Sequence, residues 1–236
     1  MKILIVNDDS ISAPGIAMLA EVASSFGDVW VVAPAEECSA MSQKLTLRET
    51  LLLEKVENFP VDVSAAYRLS GTPVDCVKVA LEYLMTDKPD WVFSGINNGY
   101  NAGYDIAYSG TVGAAFEAVR NGIPAIAFSI ASNSHLEAAK PLLHGVIQEL
   151  LEADLEANTL WNVNFPQLCT KPLAGVLRDR AVAPTSMFRE EYVPELHGDT
   201  GVMLSCKGRP TPNDQIPAGT DVHAVRNGYI SIGKVR

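Results

Sequence analysis

Asn7-Asp8-Asp9 stands directly after the apolar run Lys2-Ile3-Leu4-Ile5-Val6, and two further polar clusters stand in the same relation to apolar runs. Val29-Trp30-Val31-Val32-Ala33 leads into a loop containing Ser39 and Ser42, and Trp91-Val92-Phe93 leads into Ser94-Gly95-Ile96-Asn97-Asn98-Gly99. Short apolar runs alternating with helical stretches read as parallel strands, and an open α/β sheet binds its ligands beyond the carboxyl ends of such strands. Three strands would therefore aim oxygen-bearing side chains at one crevice. Two ionised carboxylates side by side repel, and a divalent cation relieves the repulsion. Asp8 and Asp9, with the Ser39 hydroxyl and the Asn97 amide oxygen, make a donor set for one Mg²⁺ or Mn²⁺ that leaves positions for water and a substrate phosphate. Taken singly, each is an ordinary turn residue, and their weight lies in convergence.

Ser109-Gly110-Thr111 opens a helix. As a group it reads either as a plain N-cap or as an anion site, in which hydroxyls and free N–H groups meet a phosphate and Gly110 permits close approach. Asn7, beside the aspartates, is grouped with these phosphate contacts. There is no GxxxxGK[ST] loop and no GxGxxG fingerprint, which removes support for nucleoside triphosphate hydrolysis and dinucleotide binding. GxSxG is missing, so no nucleophilic triad is signalled. The four histidines, at 135, 144, 197 and 223, have no metal-ligand spacing.

With 236 residues, 47% hydrophobic and 19% charged, the chain is expected to bury a core as a single domain. A formal charge of -10 repels a polyphosphate backbone and excludes a stable complex with nucleic acid, while a small anion held through a cation remains open. Cys38, Cys76, Cys169 and Cys206 form no CxxC pair and read as reduced thiols. No apolar stretch approaches membrane-spanning length and the amino terminus lacks a signal-peptide pattern, so a soluble cytoplasmic protein is expected.

The elements that must position these residues follow from periodicity. The pattern predicts a helix from Pro14 to Phe26 with Gly27 as a left-handed stop, completing a βαβ unit with the second strand. Thr46 to Val56 and Tyr67 to Leu69 read as extended pieces outside the parallel core. Thr72 caps a helix from Pro73 through Met85, and Gly95 to Gly113 reads as a long Gly-rich loop of the kind that is usually functional. Further expected elements are a helix over Thr111–Val119, a strand over Pro124–Ile130, an amphipathic helix over His135–Leu151 and a strand over Trp161–Phe165. Residues 1–171 thus form an α/β, Rossmann-like three-layer core with a mostly parallel sheet. Residues 172–236, punctuated by Pro and Gly, form a β-rich arm suited to exchange between protomers.

Several motifs occur in one order: Asn7-Asp8-Asp9 with Ala13-Pro14-Gly15, Val32-Ala33-Pro34 into Ser39 and Ser42, Gly71-Thr72-Pro73-Val74-Asp75-Cys76, Ser94-Gly95-Ile96-Asn97, Tyr108-Ser109-Gly110-Thr111-Val112, and Asn162-Val163-Asn164-Phe165-Pro166. Together they resemble the SurE (survival protein E) family of 5′-nucleotidases, and Thr220-Asp221 with Gly228-Tyr229-Ile230-Ser231 extends the likeness to the end of the chain. The resemblance implies a metal-dependent phosphatase acting on nucleoside monophosphates, in a homodimer or homotetramer with exchanged carboxyl-terminal arms. It implies Asp8, Asp9, Ser39 and Asn97 as metal ligands and Ser109, Gly110 and Thr111 as phosphate contacts. The family usually has Gly after the aspartates and Arg-Ser-Gly around the serine, where this chain has Ser10 and Cys38-Ser39-Ala40.

The expected chemistry is in-line attack of an activated water on phosphorus, with Asp8 and Asp9 as the catalytic carboxylates. A receiver-like, Mg²⁺-dependent phosphoacceptor also gathers aspartates at strand ends and is the alternative, and a binding protein without turnover is a third reading. The motifs fix neither the base, nor the position of the phosphate, nor action on short polyphosphate.

Overall fold

The apolar run at the amino terminus becomes β1 (Lys2–Val6), whose last four residues are buried. Strand alternation sends Ile3 and Ile5 to one face of the sheet and Leu4 and Val6 to the other, and each face carries its own hydrophobic cluster. The computed structural model describes residues 1–132, 134–168, 172–198 and 200–236. After β1 come α1 (Pro14–Ala23), β2 (Asp28–Pro34), β3 (Leu53–Lys55), β4 (Ala65–Leu69) and α2 (Pro73–Val79), which runs on into a π-helical turn over Ala80–Leu84. Next are β5 (Trp91–Asn98), a 3₁₀ turn (Tyr104–Tyr108), α3 (Gly110–Arg120), β6 (Ala125–Ile130), α4 (Leu136–Glu152) and β7 (Leu160–Phe165). The chain closes with β8 (Gly175–Leu177), β9 (Phe188–Gly198), β10 (Gly201–Pro210), α5 (Asp221–Arg226) and β11 (Tyr229–Val235).

The main sheet has the order β3-β4-β2-β1-β5-β6-β7-β11-β8. From β4 to β7 all neighbours are parallel, whereas β3 and β11 pair antiparallel. α1 and α4 bury Leu19, Leu143 and Ile147 on the face of Ile3 and Ile5, and α2 and α3 bury Val77, Val112 and Ala115 on the face of Leu4 and Val6. This is the three-layer α/β architecture expected from the sequence. The chain leaves β1 toward β2 on one side and adds β5 on the other, so the crevice between the ends of β1 and β5 is a topological switch point.

Four details differ from the sequence expectation. β4 lies inside the parallel sheet beside β2, not outside it; only Ala66 and Leu69 of its five residues are buried, too few to show a period. α1 ends at Ala23, where the Ser24 N–H bonds to the Ala20 carbonyl, and Gly27 does not adopt positive φ. Gly27 instead serves close approach, since a Cβ there would stand 2.0 Å from the Met1 carbonyl oxygen. The expected loop over Gly95–Gly113 is shortened by the extension of β5 to Asn98 and by the 3₁₀ turn. Finally, the segment after residue 172 divides: β11 and β8 join the main sheet, while β9 and β10 pair only with each other.

That hairpin exposes Tyr192, Leu196, Met203 and Leu204. At its base, Met187, Ile216, Val222 and Val225 form a small separate core with Ala102 and Ala183. Cys38, Cys76 and Cys206 are free, and Cys169 lies outside the described residues. Among the described residues no helix is long and apolar enough to cross a membrane.

Gly15, in the first turn of α1, packs directly on β5: a Cβ there would stand 2.2 Å from the Ile96 carbonyl oxygen. Because the clash is with backbone, α1 must move off the sheet in Gly15→Ala. A loss of about 2 kcal/mol or more in urea unfolding is expected, and an unchanged midpoint would contradict this packing.

Candidate metal and phosphate site

The carboxyl ends of β1, β2 and β5 and the start of α3 surround a cavity of about 270 Å³. Asp8, Asp9, Ser39, Asn97 and Ser109 all line it, so the structure brings together the four expected metal donors and one expected phosphate contact. Asp8 is only 5% exposed. Its Oδ1 accepts the Thr111 hydroxyl at 2.6 Å and its Oδ2 accepts the Thr111 N–H at 3.0 Å. The positive end of the α3 dipole is thus turned on a carboxylate. Asp9, half-buried, accepts the Asn98 N–H on Oδ2 at 2.8 Å, which fastens it to the end of β5. The Cys38 N–H bonds to the Asp8 carbonyl at 2.7 Å and anchors the loop that presents Ser39.

The neutral donors are oriented as well. The Asn97 Nδ2 is committed to the Gly99 carbonyl at 2.9 Å, leaving its Oδ1 as an acceptor. The Ser39 hydroxyl donates to Glu37 Oε1 at 2.6 Å, leaving its lone pairs for a cation. Ser42 lies outside the cavity and ties the loop to the 3₁₀ turn, its N–H to the Tyr108 carbonyl and its hydroxyl to the Ala107 carbonyl.

The four expected phosphate contacts separate into two kinds. Ser109 caps α3 by accepting the Val112 N–H, which leaves its own O–H free, and the Gly110 N–H has no protein acceptor among the described residues. Thr111 is fully buried with both donors spent on Asp8, so it positions the carboxylate and does not face the cavity. Asn7 is likewise fully buried, its Nδ2 closing the turn onto the Ser10 carbonyl at 2.7 Å.

Glu37, Asn101 and Asp105, which the sequence did not single out, also line the cavity, together with Asn98 and Tyr108 from its motifs. Asn101 is held from below: its N–H bonds to Asn164 Oδ1, its Nδ2 to Ser129 Oγ, and its carbonyl accepts from Asn162 and Asn164. The Gly-rich stretch was the available signal, but an asparagine between glycines looks like a turn residue.

Among the described residues the lining contains four carboxylates and no Lys, Arg or His. Burial, the largest cause, pushes the Asp8 pKa up to about 6; the bonds from Thr111 oppose this and the neighbouring Asp9 adds to it. Asp9 is also raised, by burial and by Glu37, against the Asn98 N–H. Two crowded carboxylates with hydroxyl and amide oxygens, and no protein cation to neutralise them, fit a hard divalent ion. Among the described residues no group of three or more His, Cys, Asp or Glu is placed to hold a metal by itself, so the neutral Ser39 and Asn97 are needed to complete the set.

A family model described as Survival protein SurE matches residues 3–190. The chain belongs to the SurE family. A protein of Flavobacterium johnsoniae named 5′-nucleotidase SurE is 39% identical, over 99% of this chain and 90% of its own length. One of Thermoanaerobacter sp. with the same name is 40% identical over 98% and 90%. The crystal structure of the SurE protein from Aquifex aeolicus superposes with a TM-score of 0.85 at 33% identity, covering 100% of this chain and 93% of that one. The two positions where this SurE chain lacks the glycines of the motif, Ser10 and Ala40, have φ of 88° and 55°. Both keep the left-handed turn that glycine would adopt without strain, so the loop shape survives the substitution.

In the metal-free protein the raised pKa of Asp8 means that the folded state holds its proton more tightly than the unfolded chain. Its stabilising contribution is complete below the ordinary value of 3.8 and is lost as pH rises through about 6. Asp8→Asn lacks this titration. Urea unfolding in the presence of chelator should therefore show the wild type losing stability relative to Asp8→Asn between pH 4 and 7, by on the order of 3 kcal/mol. A pH-independent difference would refute the assignment.

Proposed function

We propose that this chain is a metal-dependent phosphatase that hydrolyses nucleoside monophosphates to nucleoside and inorganic phosphate, a 5′-nucleotidase. The observation that carries it is the cavity itself, which gathers oxygen donors at a switch point, offers donors at a helix start and contains no cationic side chain among the described residues. The names of the relatives supply the substrate class.

Asp8, Asp9, Ser39 and Asn97 would hold one Mg²⁺ or Mn²⁺. When bound, such an ion supplies positive charge against the phosphoryl oxygens and acidifies water. The Ser109 hydroxyl and the Gly110 N–H hold the phosphoryl group at the α3 dipole. Asn101, fixed by its network, keeps a second Nδ2 hydrogen for the same group. Asp9 has one carboxylate oxygen, Oδ1, without a protein donor, and this oxygen orients the attacking water and takes its proton. Attack in line breaks the bond from phosphorus to the nucleoside oxygen. Thr111 and Asn7 act through position, the one by fixing Asp8 and the other by closing the turn.

The whole of residues 1–236 serves as one unit, with a core over 1–171 and an oligomerising arm drawn from 172–236. The unpaired hairpin β9–β10, with its exposed Tyr192, Leu196, Met203 and Leu204, is the exchanged part of a homodimer or homotetramer. Free thiols and the lack of a membrane-crossing helix among the described residues support action in the cytoplasm.

After chelation, phosphate release from nucleoside monophosphates should fall to background and return with Mn²⁺ or Mg²⁺. Asp9→Asn should lower kcat by about 100-fold or more at saturating metal. A stable aspartyl phosphate without turnover would favour the phosphoacceptor reading instead. In light scattering the intact chain should have the mass of a dimer or larger, and Tyr192→Asp with Leu204→Asp should shift it toward the monomer; a monomeric wild type would overturn the arm exchange.

A further inference from the structure

Of the two neutral donors at the cavity, Asn97 is turned by a backbone group and Ser39 by a side chain. An amide has two different ends, so tying the Asn97 Nδ2 to the Gly99 carbonyl fixes which atom is left to accept. A hydroxyl has no such built-in direction, because its single proton swings about the Cβ–Oγ bond. As a ligand it must turn that proton away from the cation, since a proton facing the ion opposes its charge and takes the place of a lone pair. An acceptor on the far side of the oxygen meets this requirement.

Glu37 is that acceptor. Its Oε1 takes the Ser39 hydroxyl at 2.6 Å, the length of a charge-assisted bond. The loop makes the pairing possible: the Cys38 N–H is fixed on the Asp8 carbonyl at 2.7 Å and the Cys38 Sγ turns to the Gly71 carbonyl at 3.8 Å. The residues on either side, Glu37 and Ser39, both line the cavity, and Cys38 does not. Because Oε1 lies on the proton side of Oγ, it stands away from the lone pairs that a cation would use. We propose that Glu37 is a positioning residue for the metal site, which acts through Ser39 by holding the hydroxyl proton away from the cation and is not itself a ligand. This rests on the reading of Asp8, Asp9, Ser39 and Asn97 as the donors for a divalent ion. The consequence is in affinity, since groups that orient a ligand from behind typically change metal binding by about 10- to 100-fold.

Two substitutions separate orientation from charge. Glu37→Gln keeps an oxygen acceptor and loses the charge, whereas Glu37→Ala loses both, so comparing the two cancels the through-space attraction of a carboxylate for a cation. Glu37 is exposed, and neither change disturbs the core. Mn²⁺ binding, read without substrate from the electron paramagnetic resonance signal of the free ion, should be about tenfold weaker in Glu37→Ala than in Glu37→Gln. When Ser39→Ala is added to each, the two should bind within about twofold of one another, because the hydroxyl to be oriented is gone. Equal affinity of the Gln and Ala variants in the presence of Ser39 would overturn the proposal. So would a tenfold gap that persists in the Ser39→Ala background, which would make Glu37 a ligand in its own right. Wild type that binds Mn²⁺ yet releases no phosphate from any nucleoside monophosphate would end the phosphatase reading and leave the Glu37 comparison to be decided by the same binding data, and wild type that binds no Mn²⁺ would end both.

Discussion

A carboxylate buried to the extent of Asp8 is costly unless donors are aimed at it, and both of its oxygens are met by one residue at the start of α3. That contact ties the end of β1 to the helix on the far side of β5. Gly110 permits it, since a Cβ there would stand 3.0 Å from the Asp8 Cβ. The Cys38 N–H on the Asp8 carbonyl draws in the loop after β2 as well, so one residue sets the spacing of three elements. Asp9, next in the chain, is fastened elsewhere, on the Asn98 N–H at the end of β5. The pair is thereby held by separate anchors while remaining close enough for the charge of Asp9 to raise the pKa of Asp8.

Beneath the cavity the sheet turns polar, and strand alternation explains how. In β7, Trp161, Val163 and Phe165 join the hydrophobic cluster of α1 and α4, which turns Asn162 and Asn164 to the opposite face. In β6 the same alternation sends Phe128 into that cluster and Ser129 toward Asn101, in register with Asn164. The three residues converge on one asparagine of the Gly-rich loop. A buried polar layer stabilises when its members satisfy one another, and here it fixes the loop at Asn101, with the Asn162 Oδ1 left without a partner among the described residues.

The parallel core, the crevice and the meeting of Asp8, Asp9, Ser39 and Asn97 at it were legible because long apolar runs with clear periods set the strands, and these residues come soon after those runs in sequence. β4 was misplaced because two buried residues cannot display a period. Thr111 and Asn7 were grouped with the phosphate contacts because residue type reports chemistry but not direction; the structure turns one onto Asp8 and the other into its own turn. Glu37, Asn101 and Asp105 enter the cavity from loops whose course depends on long-range bonds, such as the Asp105 carboxylate on the Met187 N–H. No local pattern encodes such a bond. The hairpin was expected only as an arm, and the place of β11 beside β7 was hidden, because its β-like run completes the sheet from the far end of the chain.

The same long-range bonds decide how the hairpin communicates with the site. Met187, just before β9, donates to Asp105, and Tyr104 donates to the Thr185 carbonyl, so the hairpin base and one cavity wall are directly fastened together. Asp221, buried at the start of α5, accepts the N–H groups of Gly103 and Ala183 and so joins the same wall to the segment leading into the hairpin. Asp8 and Asp9, by contrast, are held by α3, by the loop after β2 and by β5, none of which touches this base through those bonds. A load on the hairpin is therefore transmitted first to the wall of Asp105 and Tyr108, and from there through Ser42 to the loop that carries Ser39, while the bonds that hold Asp8 and Asp9 lie further on. Contacts made by the arm bear on the wall of Asp105 and Tyr108 before they bear on Asp8 and Asp9.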